Sequence, residues 1–193
     1  MKKTFQKNIK LKNEGMHAMN EEAGYNLQKF TSQFICELIE KFIDLVNQCS
    51  EDDLHSTPNP DSNHIGFLTW HVMRSIDNVM FFAFDREKPV WLNNGYDQSM
   101  SLPKVHQGTD YSLAEAQDLQ IIKKELLINY CNDLKDAIDK KISNVSDEYL
   151  FTINKVVPWG EITRLESIGK MMIAHGNEHL GEAQNIFSII KKH

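Results

Sequence analysis

The stretch that most constrains the fold is "NHIGFLTWHVMRSIDNVMFFAFD", residues 63–85, which is apolar almost all round. Wound as a helix, it carries Phe67, Trp70, Met73, Phe81 and Phe84 on one side and Ile65, Leu68, Val72, Ile76 and Val79 on the other. A helix of that kind must be buried on more than one face, either at the centre of a bundle or at a subunit interface as well. Three further segments share helical periodicity. The first runs from about Glu21 to Gln48, with Leu27, Phe30, Phe34, Leu38, Phe42 and Leu45 at three- and four-residue steps. Pro58 and Pro60 end it, and Ser62 or Asn63 can cap the next helix. A third helix is expected from the capping box Ser112/Glu115 to about Ser143, and a fourth from Thr163/Glu166 to about Lys191. No convincing strand, internal repeat or domain boundary is visible. The expectation is an all-α bundle in a single domain over residues 21–193, preceded by a loosely ordered N-terminal extension, residues 1–20.

Charge narrows the function classes. The formal net charge of −6 argues against nucleic acid as a partner, because a phosphate backbone demands clustered Lys and Arg. The basic start "MKKTFQKNIKLK" lacks the apolar run of a signal peptide, and no window is long enough for a transmembrane helix. Cys36, Cys49 and Cys131 are scattered and without CxxC spacing, which fits reduced thiols in a cytoplasmic protein.

The late segment "HGNEHLGEA", residues 175–183, raises the chemical question. At about 100° per residue, His175 and His179 fall in the middle of a stripe that includes Leu165, Ile168, Met171, Met172, Ala183 and Ile186. Glu182 shares that face, whereas Glu178 lies at its edge. Two neutral imidazoles at i and i+4 can chelate one first-row metal. They serve equally as hydrogen-bonded core histidines. A tight site needs a third ligand, for which His71, inside the apolar second helix, is the candidate. Glu182 could then be a ligand, an orienting partner or a proton acceptor. "HGNEH" also fits H-x-x-E-H, the inverted zinc-protease motif, but its third ligand comes from far downstream and only 14 residues follow His179.

Other residues carry less. His64 lies on the same side as His71, near the helix start, and could line an approach to the site. Arg74 and Asp77 form an i, i+3 pair that could edge a pocket, and Asn78 lies about one heptad past His71. His17, His55, His106 and His193 read as solvated, and Cys36 and Cys131 as core fillers. Trp70, Trp91 and Trp159 read as packing residues, the last two in connections that could fold over a pocket mouth. The connection 86–111 is longer than ordinary loops unless it has a task.

Together, "NHIGFLTWHVMRSIDNVMFF", "VWLNNGYDQSMSLPKVHQGTDYSLAEAQDL" and "HGNEHLGEA" resemble the DinB-like superfamily, specifically its branch with WHxxRxxD in helix two and HxxxHxGE in helix four. The similarity spans roughly residues 25–190. It implies a four-helix bundle, up-down-down-up with a long crossover between helices two and three, in a homodimer. It also implies one divalent metal ion, held here by His71, His175 and His179. The Ser62-Asn63-His64 start departs from the family's usual small residue. Relatives include S-transferases and isomerases using bacillithiol, mycothiol or glutathione.

Three histidines leave a coordination position open, as in a catalytic site. The leading expectation is transfer of a low-molecular-weight thiol onto a small electrophile, assisted by Zn or Ni, or hydrolysis by activated water. His71, His175 and His179 are the expected ligands, Glu182 the catalytic candidate, and His64, Arg74, Asn78 and Glu178 the surrounding shell. The competing class is a non-enzymatic, stress-responsive metal-binding or structural bundle.

Overall fold

The computed structural model describes Gly24 and residues 26–121, 123–157 and 160–192. The expected N-terminal extension, the start of the first helix at Glu21, and the expectations for His17, Trp159 and His193 lie outside these.

Four long helical rods make the core. The first is α1, Leu27–Gln48, capped by Asn26, whose side chain accepts from the Lys29 amide at 2.9 Å. After the short α2, Glu51–His55, comes α3, Ile65–Asp77, which runs on into a π-helical segment, Asn78–Ala83. Every residue of α3 is buried, as its all-round apolar pattern demands. The chain then crosses over through α4, Val90–Asn93, α5, Tyr96–Ser99, and α6, Leu113–Asp118, to the third rod, α7, Lys124–Ile142. Next come α8, Asp147–Phe151, and two antiparallel strands, β1, Ile153–Val156, and β2, Gly160–Thr163, in register Ile153 to Thr163. The fourth rod is assembled from α9, Arg164–Ser167, a π-helical segment, Ile168–Ala174, and α10, His175–Ile190. α1 packs along α7, while α10 packs on α3 and α1.

Several expectations need correction. The third helix is split: the Ser112/Glu115 box is present, but α6 ends at Asp118 and α7 starts only at Lys124. Between them Ile121 is buried against α3, where a Cβ on Gly66 would stand 2.9 Å from its Cγ1. The Ile121 amide donates to His55 Nε2 at 2.8 Å, so His55 is a fixed acceptor and not merely solvated. The β1–β2 hairpin departs from the expectation of no strand. Phe30 and Phe34 are 44% and 38% exposed with their rings tilted against each other, and the buried stripe of α1 runs through Thr31, Ile35 and Ile39 beside the expected Leu38, Phe42 and Leu45.

The cap of α3 is neither Ser62 nor Asn63 but His64, fully buried, whose Nδ1 accepts from the Phe67 amide at 3.0 Å. Desolvation, followed by the neighbouring His55, pushes its pKa from 6.5 down to about 4. The unfolded chain therefore takes up a proton that the folded one refuses. Stability is full above pH 6.5 and declines as pH falls from there towards about 4. Denaturant titrations of metal-free protein should show His64 alone contributing a loss of about 2 kcal/mol between pH 7 and pH 5. His64→Asn, which retains a capping side chain without a titrating ring, should flatten that part of the slope.

Candidate metal centre

His71 comes from the middle of α3, and His175 and His179 from the first turns of α10. A π-helical segment follows α3 and another leads directly into α10, a wide-turn geometry that recurs at functional sites. Along α10 the residues facing the core are Gly176, Leu180, Ala183 and Ile186. The helix is thus rolled by about one residue from the expected stripe. His175 and His179 stand half-buried at its edge instead of at its centre. Gly176 explains the roll: a Cβ there would lie 2.4 Å from Leu38 Cδ2 and 3.5 Å from Val72 Cγ1. Only a residue without a side chain lets α10 settle this close to α1 and α3.

The three imidazoles converge. Each offers one nitrogen, and the three nitrogens lie within 4.8 Å of one another. The Nε2 atoms of His175 and His179 face each other at 3.1 Å, and the His71 ring stands edge-on to both, with centroids 5.4 and 5.2 Å away. Two nitrogens bound tetrahedrally at 2.0–2.1 Å from one ion would be about 3.3 Å apart. Facing lone pairs at that range repel unless a proton or a cation lies between them, so the donor set fits a first-row divalent ion.

Electrostatics supports the same protonation state. Burial pushes His71 down to about 4, and burial followed by the His179 ring lowers His175, so both are neutral at pH 7. Neutral imidazole is the form that binds metal. The outward nitrogens are held as well. His71 Nδ1 donates to the Gln107 carbonyl at 2.5 Å, which leaves Nε2 bare towards the cluster. His179 Nδ1 lies 3.1 Å from Glu182 Oε2, and Asn63 Nδ2 donates to Glu182 Oε1 at 3.3 Å. The contact with His179 is the main reason that the Glu182 carboxyl sits below its usual range. His175 Nδ1 is buried beside the Met171 backbone, one turn earlier on the same rod. Removing an outer partner of this kind costs 10–100-fold in metal affinity. Glu182→Ala should show a loss of that size in chelator competition while all three histidines remain.

A cavity of about 360 Å³ opens beside the cluster, walled by Phe67, His71, Gly108, Tyr111, His175 and His179 among others. Gly108 has φ +83°, and a Cβ on it would press within 2.9 Å of the Phe67 ring, so glycine brings the crossover backbone down onto the cavity. A wider groove of about 680 Å³ between α1 and α7 shares none of these residues.

The remaining expected residues lie elsewhere. His64 is the α3 cap, Asn78 is half-buried at the start of the π-helical segment, and Glu178 is exposed; none of these lines the cavity. Arg74 is 1% exposed, 3.7 Å from Asp77, with Trp91 stacked at 5.0 Å. Trp91 is itself fully buried, donating to the Pro103 carbonyl at 3.1 Å, and so sits under the crossover instead of over a pocket mouth. Sequence reasoning missed Gln107, which acts through its backbone and leaves no side-chain signal. It also missed Asn63 as the partner of Glu182.

No curated protein matches the chain. Among solved structures it is similar to one described as the conserved protein of locus from Enterococcus faecalis, at 18% identity and TM-score 0.76, covering 88% of this chain and 99% of that one. At that identity the likeness concerns the fold. The sequence also matches the DinB superfamily over residues 37–183, more than half its length, and on that match the chain belongs to the DinB superfamily.

Proposed function

We propose that this protein binds one divalent ion, Zn or Ni, through His71, His175 and His179, and uses it on a small-molecule substrate in thiol S-transfer or hydrolysis. The observation that carries this reading is the convergence of three nitrogens within 4.8 Å beside an open cavity. A bound divalent ion supplies Lewis acidity that lowers the pKa of a thiol or water placed beside it. The chain's own residues do the rest. Gln107 and Glu182 fix the His71 and His179 rings by their outer nitrogens. Phe67 and Tyr111 wall one side of the cavity. Glu182 is a positioning residue in this scheme, since its two oxygens face His179 and Asn63.

An open site is favoured over a closed structural one because no Asp, Glu or Cys among the described residues joins the cluster. The homodimer and the cytoplasmic location belong to the same proposal, the latter supported by three unpaired cysteines. No helix among the described residues is long and apolar enough to cross a membrane.

Elemental analysis of tag-free protein, followed by absorption spectra of the cobalt-loaded form with and without an added thiol, tests the reading. One ion per chain and a thiol-induced spectral change are expected. Protein without metal overturns it, and a cobalt spectrum indifferent to every thiol overturns S-transfer and leaves hydrolysis.

A further inference from the structure

The cavity wall has a chemistry of its own. The rings of Phe67 and His71 are stacked, 10° apart in plane with centroids at 5.7 Å, and Tyr111 continues the stack on Phe67 at 6.3 Å and 24°. The cavity rim adds Asn63, Thr109, Leu113 and Ala116. No Lys or Arg is among the described residues that line it. The nearest guanidinium on α3, Arg74, is buried, and it faces Asp77, the Val105 carbonyl and Trp91. The Glu182 carboxylate stands directly behind Asn63 and His179. On the far side of Tyr111 a second cavity, about 620 Å³, contributes Glu115 and Asp118 but again no Lys or Arg. Apart from the ion, the field around the site is neutral to negative.

We infer that this cavity selects a small neutral molecule with a flat aromatic or short apolar body, and that thiols carrying two carboxylates, such as glutathione, are poor ligands for it. The inference rests on the metal reading above and specifies its substrate class. Carboxylate recognition uses Arg or Lys, and a carboxylate entering without one is desolvated unpaired. A flat ring gains the offset stacking that the Tyr111–Phe67–His71 ladder offers. Volume points the same way: about 360 Å³ is near the lower limit of small-molecule cavities, with little room for a tripeptide thiol beside an electrophile.

Equilibrium titration of the cobalt-loaded protein, followed by absorption, tests this with two probes, phenylmethanethiol and glutathione. Phenylmethanethiol should bind at least tenfold more tightly. Tyr111→Ala, at a partly exposed position, should weaken it roughly three- to tenfold without changing cobalt affinity. Thr109→Lys, which places a cation at the rim, should narrow the preference by strengthening glutathione. If glutathione binds as well as phenylmethanethiol, or if neither substitution changes the ratio, the inference is overturned while the metal site stands. If cobalt does not bind at all, the metal reading falls and takes the inference with it.

Discussion

His175→Ala should reduce divalent-metal affinity by roughly a hundred- to a thousandfold, the share of one ligand in a binding free energy of about 10–16 kcal/mol spread over four positions. His71→Ala and His179→Ala should do the same. The loss exceeds that of Glu182→Ala, since a ligand is removed instead of its orienting partner. The readouts are metal content after dialysis and chelator competition on each variant. Because His175 and His179 are half-buried at the edge of the core face, their alanine variants should keep the helical circular dichroism of the parent. An alanine variant that folds and retains parental affinity would sink the three-histidine site.

The largest effect on stability is expected from Asp77→Ala. Asp77 is fully buried and accepts from the amides of Val90 at 2.9 Å and Trp91 at 2.8 Å, with the Tyr130 hydroxyl 2.9 Å away. Burial raises its carboxyl pKa, while the two amides and Arg74 pull the other way. Truncation strands two amides and a buried guanidinium together, while the Tyr130 hydroxyl keeps the Met73 carbonyl at 3.2 Å. The cost should be about 3–5 kcal/mol, the range for breaking a buried pair from one side, and roughly 10 °C in Tm for a chain of this size. Asp77→Asn, which keeps one acceptor oxygen and the shape, should lose less. Thermal melts of both variants check the ordering. Read from sequence as an i, i+3 pair that could edge a pocket, Arg74 and Asp77 instead anchor the start of the crossover that brings Gln107 to His71.

The parts of this molecule legible in its sequence are those where one helix face decides the matter. An all-round apolar pattern can only be buried, and α3 is. Histidines spaced i, i+4 on one rod and a lone histidine inside another are sufficient to name the three rings that converge. What the pattern does not show is decided by contacts between distant segments. Leu119 and Ile122 continue the three- and four-residue rhythm of a helix, yet His55, far back in the chain, captures the Ile121 amide and the helix breaks. The roll of α10 depends on Leu38 and Val72 meeting Gly176 across the core. The β1–β2 strands are four residues each, and only Val156 of β1 is buried, too short an alternation to register.

The tripod also has a topological consequence. An ion clasping His71 to His175 and His179 closes a circuit of about a hundred residues, and a denatured chain gives up most of that restriction. Binding to the native form alone raises stability by RT ln(1 + [L]/Kd), so unfolding midpoints should climb with free metal concentration. If an ion binds there, its departure would also slacken the crossover, through the imidazole of His71, which faces both the cluster and the Gln107 carbonyl.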